Sequence, residues 1–300
     1  MTYRESHIFG LDSQGFHKIV YSDWGAPEAH PVLCVHGLTC NGHDFDDLSR
    51  ALAEDGYRVI AVDLPGRGRS DPLKNPLDYH LGQYCQDIAA LLAHLGISPP
   101  TPPQAGGRKG GIDWIGVSLG GLLGICLAAM ENSPIRRMIV NDIAPEIPKE
   151  LLDFLYQVVL KPRRFDTLQD LKNDMRGVQR AGWGPLTEEQ WQAMAEHYAR
   201  ALEDGALTYN FDPQIGFNFA PERAQAVDLW PLWERIAIPT LLIRGGQSLL
   251  LTHAQAEAMA QRAPRAGVQT VTFDDCGHAP SLLAPAHIDV VKQWLNSAPM

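Results

Sequence analysis

Ile112-Asp-Trp-Ile-Gly-Val-Ser-Leu-Gly-Gly-Leu-Leu-Gly-Ile-Cys-Leu-Ala-Ala129 is the stretch whose reading decides the rest. A short apolar run breaks at Gly116-Val117-Ser118-Leu119-Gly120 and passes at once into a small-residue run of helical character. This is G-x-S-x-G in a strand-to-helix setting, where a sharp turn lifts one serine hydroxyl clear of the backbone. The glycines have a steric reason: the turn strains Ser118, and side chains at 116 and 120 would collide with the neighbouring strand and helix. Ser118 is therefore the candidate nucleophile. The competing reading, a glycine-rich packing turn, weakens once the flanking strand and helix are counted.

Outward from this turn the chain alternates between strands and helices. Upstream, Ser6 to Trp24 reads as a hairpin around Ser13-Gln14-Gly15, and Pro31 to Val35 as a buried strand stopping at His36-Gly37. Gly42 to Asp55 has helical spacing, and Tyr57 to Leu64 is a second buried strand, ending in Pro65-Gly-Arg-Gly-Arg-Ser70. Asp78 to Leu95 is an amphipathic helix with Gly96 as its stop. Ser98 to Gly111 holds four prolines and four glycines in fourteen residues, which predicts an exposed loop without chemistry. Downstream, Arg137 to Asn141 is a strand running into Asp142.

From about Glu146 to Arg235 the pattern becomes helical and rich in aromatics, Trp183 among them, with breaks at residues 182–185 and at Asp212-Pro213. Alternation then resumes with Pro239 to Gly245, the helix Thr252 to Arg262, the strand Val268 to Phe273 and the helix Pro285 to Asn296. The expected fold class is α/β: a mostly parallel eight-stranded sheet flanked by helices, interrupted by one helical insertion. Residues 1–145 and 236–300 are expected to form the core, and 146–235 a lid. In such sheets ligands sit at the carboxyl ends of the strands, which is where Ser118 falls.

The chain has 300 residues, 45% hydrophobic and 20% charged, enough for one α/β unit with a sizeable insertion. A formal net charge of −10 without any basic run argues against nucleic acid as a partner. No stretch has the apolar length to span a bilayer, and the first residues lack the basic-then-apolar order of a secretion signal. Five cysteines, Cys34, Cys40, Cys85, Cys126 and Cys276, show no paired metal-type spacing. Reduced thiols in a cytoplasmic protein are expected, as a monomer or homodimer acting on a small molecule.

His36-Gly37, Asp63-Leu-Pro-Gly-Arg-Gly-Arg-Ser70, Gly116-Val-Ser-Leu-Gly120 and Cys276-Gly277-His278 stand in the order in which the α/β-hydrolase family carries its motifs. The chain resembles that family over nearly its whole length. A serine hydroxyl needs a base, and of eleven histidines His278 is the one whose place after the last strand matches the family's order of serine, acid, histidine. His36 is expected to shape the oxyanion loop instead. Related hydrolases place an aspartate after the seventh strand, but here Arg244-Gly-Gly-Gln-Ser248 is followed by Leu249. The family's second solution puts the acid after the sixth strand, where Asp142 stands. Adjacent strands are only about 4.8 Å apart, so either strand end can offer a carboxylate to the histidine. Asp142 is the expected acid, with Glu146 behind it.

The resemblance further implies an oxyanion hole from the backbone N–H groups of Leu38 and Leu119. Cys40, Asn41, Trp183 and His253 are candidate pocket residues, although a solvated helix-start histidine is the stronger reading of His253. Asp63 and its loop are expected to be structural. The implied chemistry is acyl transfer to water with no cofactor and no metal, on a small, apolar or aromatic carboxylic ester. The alternatives are hydrolytic C–C cleavage of a ring-fission diketone, or a hydrolase-fold protein that binds a ligand with little turnover. Leu249 motivates the last.

Overall fold

Continuous apolar runs become strands covered on both faces, and side-chain alternation sorts each run between two cores. In β3 (His30–Val35), Leu33 and Val35 join one core while Val32 and Cys34 join the other. In β4 (Tyr57–Val62), Ile60 and Val62 divide in the same way from Val59 and Ala61. The computed structural model describes residues 3–100, 110–263, 265 and 267–297. Most of the expected proline- and glycine-rich loop, residues 101–109, lies outside the described residues.

The remaining strands of the sheet are β1 (Arg4–Asp12), β2 (Gly15–Trp24), β5 (Ile112–Val117), β6 (Ile135–Asn141), β7 (Thr240–Gly245) and β8 (Val268–Phe273). Their order is β1-β2-β4-β3-β5-β6-β7-β8. The β1–β2 and β2–β4 pairs are antiparallel and every other pair is parallel, so this is the mostly parallel eight-stranded sheet expected.

Helices α1 (Asp46–Glu54) and α7 (Pro285–Asn296) cover one face through Leu48, Leu52, Val291 and Trp294. Helices α2 (Leu81–His94), α3 (Leu119–Ala128) and α6 (His253–Arg262) cover the other, through Ile88, Leu91, Leu123, Ile125 and Met259. Burial of Leu119 to Cys126 without a break explains why the run after Ser118 is apolar all round rather than amphipathic. No helix among the described residues is long and apolar enough to cross a membrane.

Between β6 and β7 the chain builds α4 (Leu168–Trp183) and α5 (Glu188–Tyr198), each opened by a threonine capping box at Thr167 or Thr187. Phe165, Leu171, Met175, Trp183, Trp191, Met194 and Tyr198 form a separate small core there with Leu283. The expected all-helical character does not hold throughout. Ala199–Ala201 pairs with Leu207–Tyr209 around a turn whose Gly205 has φ +86°, and Glu146–Ile147 pairs with Val227–Asp228. Asp204-Gly205 is a hairpin signal, and the strands it joins are too short to show a period of two.

Candidate active site

The registers bring four strand ends together. Val35 pairs with Gly116, Val117 with Asn141, and Asn141 with Ile243, so the chain leaves β3, β5, β6 and β7 at one edge. Ser118 sits between β5 and α3 with φ 52° and ψ −112°, a conformation that costs a non-glycine residue about 1–3 kcal/mol. A Cβ at Gly116 would strike the Gly120 carbonyl, and one at Gly120 would strike the Val35 carbonyl of β3. The two glycines therefore let the helix start against the sheet and hold the serine at the bend.

His278 Nε2 lies 2.9 Å from Ser118 Oγ, and His278 Nδ1 lies 2.7 Å from Asp142 Oδ2. Asp142 is wholly buried, with φ 60°, and its N–H donates to the Ile243 carbonyl of β7 at 2.8 Å. Its Oδ1 accepts the Gly245 N–H at 2.8 Å. A carboxylate from β6 is thus braced by an amide from β7 and turned toward the histidine that follows β8. Gly245 is constrained twice, since a Cβ there would strike the Gly277 carbonyl just before His278. Leu249 is 80% exposed and takes no part in this cluster.

Leu119 opens α3, whose first N–H groups have no partners within the helix and lie at its positive end. The Leu38 segment comes from β3 on the other side: a Cβ on Gly37 would stand 3.7 Å from Ser118 Cβ. The loop that carries Leu38 is held from below. The buried Arg67 donates from Nε to the Leu38 carbonyl at 2.9 Å and from Nη1 to the Pro65 carbonyl and Tyr84 hydroxyl, each at 2.7 Å. Asp63 accepts from the Gly42 N–H at 2.6 Å and from Arg69 Nε at 2.7 Å, tying the β3 and β4 loops together. His36 is buried between them: Nδ1 donates to the Gly37 carbonyl at 2.7 Å and Nε2 accepts the Leu64 N–H at 3.0 Å. Burial holds its pKa down to about 4, so the imidazole stays neutral.

The expected pocket residues separate. Cys40 packs at the edge of the small core that contains Trp183, and the Trp183 carbonyl accepts the Ser281 N–H, three residues past His278. Asn41 is buried, but its side chain is engaged elsewhere: Oδ1 accepts the His43 N–H and Nδ2 donates to the His197 carbonyl. It joins the β3 loop to α5 and is not a free pocket donor. His253 is not a pocket residue, and the stronger of its two readings, a solvated helix-start histidine, holds: it starts α6 with its side chain 75% exposed, 3.3 Å from Glu257.

Three pairings went unread in the sequence. The Asn141 amide donates to the Pro280 carbonyl at 2.7 Å and holds the His278 loop against β6. Tyr198 donates its hydroxyl to Asp44, 2.9 Å from either oxygen, and burial raises that carboxyl to about 7. Arg67 beneath Leu38 is the third. Each joins residues far apart in the chain, and no local pattern signals it. Among the described residues, the group whose ligand atoms lie close enough to hold a metal ion is His43, Asp46 and His197, outside the serine cluster. A surface groove of about 550 Å³ lined by Asp47, Arg50, Pro185, Gln190 and Pro285 includes neither Ser118 nor His278 and is not this site.

Comparison with known proteins finds that the sequence model of the alpha/beta hydrolase family matches residues 32–289. The chain is 33% identical over 297 residues to a 3-hydroxybutyrate-oligomer hydrolase of Cupriavidus necator, covering 96% of each chain. It is 26% identical over 247 residues to a 2-(acetamidomethylene)succinate hydrolase of Mesorhizobium japonicum, covering 81% of this chain and 80% of that one. Among solved structures it is similar to an alpha/beta hydrolase from Novosphingobium aromaticivorans, with a TM-score of 0.83 and 33% identity over 99% of this chain and 100% of that one.

Proposed function

The chain belongs to the alpha/beta hydrolase family, and from that premise we propose that it is a serine hydrolase cleaving short linear hydroxyacid esters through an acyl-enzyme. The observation that carries the reading is the continuous contact from Ser118 Oγ through His278 to Asp142, at 2.9 and 2.7 Å. His278 Nε2 takes the hydroxyl proton as Oγ attacks the ester carbonyl carbon. The Leu38 and Leu119 amides receive the oxyanion. Collapse of the adduct breaks the C–O bond, and the imidazolium gives its proton to the leaving alkoxide. A water deprotonated by the same imidazole then releases the acid. Asp142 keeps the Nδ1–H tautomer and stabilises the imidazolium throughout.

The substrate class rests on the similarity to the 3-hydroxybutyrate-oligomer hydrolase, which extends over both chains almost end to end. The aromatics of residues 146–235 no longer argue for an aromatic ester. Trp183 stacks on Trp191 at 5.7 Å and meets Tyr198 edge-on at 6.0 Å, so these rings build the segment's own core. In this reading the segment is a lid over the serine, with Trp183 on the side that meets the His278 loop. A binder without turnover loses its motive, since Asp142 stands where an acid after β7 would be needed.

The test is release of 3-hydroxybutyrate from its purified trimer, followed chromatographically, beside intact-mass detection of a fluorophosphonate adduct. Ser118→Ala should lower turnover by about 10⁴-fold or more and abolish the adduct. Unmutated protein that neither labels nor releases monomer would sink the proposal. Labelling without release would retain the serine mechanism and reject the substrate class.

A further inference from the structure

Along the β3 loop, past Asn41, two histidines from different parts of the fold lie face to face. The rings of His43 and His197 are 3.9 Å apart between centroids and 9° from parallel. Asp46 adjoins both: its Oδ2 is 2.9 Å from His43 Nδ1 and 4.0 Å from His197 Nε2. The other oxygen, Oδ1, is buried without a hydrogen-bond partner. One ligand atom from each of the three residues lies within 4.8 Å of the others. None of the three touches Ser118, Asp142 or His278 among the described contacts, and the hydrolytic reading leaves all of them unused.

We propose that His43, Asp46 and His197 bind a divalent transition metal of the zinc class, bridging the β3 loop to the last turn of α5. Two imidazoles and one carboxylate suit a borderline cation, whereas magnesium and calcium take oxygen ligands. Zinc bonds of about 2.0–2.2 Å bring tetrahedral ligand atoms to roughly 3.4 Å from one another. The 2.9 Å edge between His43 Nδ1 and Asp46 Oδ2 must open and the 4.0 Å edge to His197 Nε2 must close, and the imidazoles must rotate out of their stack so that both lone pairs point at one centre. Solvent reaches the site, because the His197 side chain is 38% exposed. The backbone positions are held by other contacts of the fold. His43 and Asp46 are three residues apart on one turn, and α5 is pinned beside them by the Tyr198–Asp44 and Asn41–His197 hydrogen bonds. A water would complete the coordination. The site would fasten residues 146–235 to the loop that carries Leu38.

Chelator-treated full-length protein, titrated with Zn²⁺ against a chromophoric chelator, tests this without reference to activity. One bound equivalent and a raised Tm are expected, with Co²⁺ giving the visible absorption of a low-coordinate site. His197→Gln should weaken zinc binding by about 100-fold or more while leaving the far-ultraviolet circular dichroism unchanged. Should that variant fail to fold, His43→Gln carries the same expectation. His278→Gln should bind zinc as the unmutated protein does. No uptake by the unmutated protein would overturn the proposal. So would unchanged affinity in a folded His197→Gln or His43→Gln, or loss of binding in His278→Gln, which would put the metal at the serine cluster.

Discussion

His36 follows β3 and His278 follows β8, each beside a glycine and each at the edge where Ser118 stands. Their nitrogens meet different chemistry. Both nitrogens of His36 face backbone groups, a carbonyl and an N–H, so one neutral tautomer is fixed and buried. His278 has a hydroxyl at Nε2, a carboxylate at Nδ1 and a side chain 28% exposed, so a proton arriving at Nε2 is stabilised through Nδ1. The contrast teaches that what fits a strand-end histidine for the role of a base is its second partner, not its place in the chain. Here that partner is held from a third element, the β7 amide of Gly245.

Replacing the partner should have the largest effect. In Asp142→Asn the side-chain oxygen pairs with the Gly245 N–H and turns the amide NH₂ toward His278, which selects the tautomer that cannot accept the serine proton. Turnover should fall by about 10⁴-fold with the fold intact, and steady-state kinetics would show it. A loss of less than tenfold would erase the distinction between the two histidines.

The next prediction concerns His36. Its pKa is lowered from 6.5 to about 4 in the folded protein, so its contribution to stability is full above pH 6.5 and is lost as pH falls toward 4. The loss should approach about 3 kcal/mol for this group, read from urea unfolding at stepped pH and from titration of its imidazole resonance. An imidazole that protonates near pH 6.5 would contradict the buried, backbone-locked description. Gly245→Ala should follow, at about 2 kcal/mol in urea unfolding with reduced turnover, because the new methyl displaces Gly277 and with it His278. Leu249→Asp should do least. Stability should change by no more than about 0.5 kcal/mol, and the acid should not rescue Asp142→Asn, since position 249 faces solvent. Rescue would show that the β7 turn can swing inward.

Much of this site is legible in local sequence. Gly116 and Gly120 around Ser118 announce a backbone so crowded that a single Cβ cannot enter, and that crowding is met in the Val35 and Gly120 carbonyls. The apolar runs of β3 and β4 announce strands with two covered faces. His253 left two readings open for the opposite reason: a place after β7 is a local fact, whereas the direction of a side chain in the first turn of α6 depends on how that helix packs. The hairpin at Ala199–Tyr209 was hidden because three-residue strands carry too little periodicity.

By itself the sequence determined the α/β alternation, the strained serine turn and the candidate residues, because period, glycine and chain order are short-range properties. Only the tertiary structure decided which of them meet. Asp142 and His278 are 136 residues apart and come into contact because β6, β7 and β8 are neighbours, because Asp142 adopts a positive φ at the end of its strand, and because Gly245 allows the His278 loop to close over β7. The pairs Arg67–Leu38, Asn141–Pro280 and Tyr198–Asp44 belong to the same class. They are contacts between distant segments, set by the order of strands and the packing of loops, and no window of sequence contains both partners.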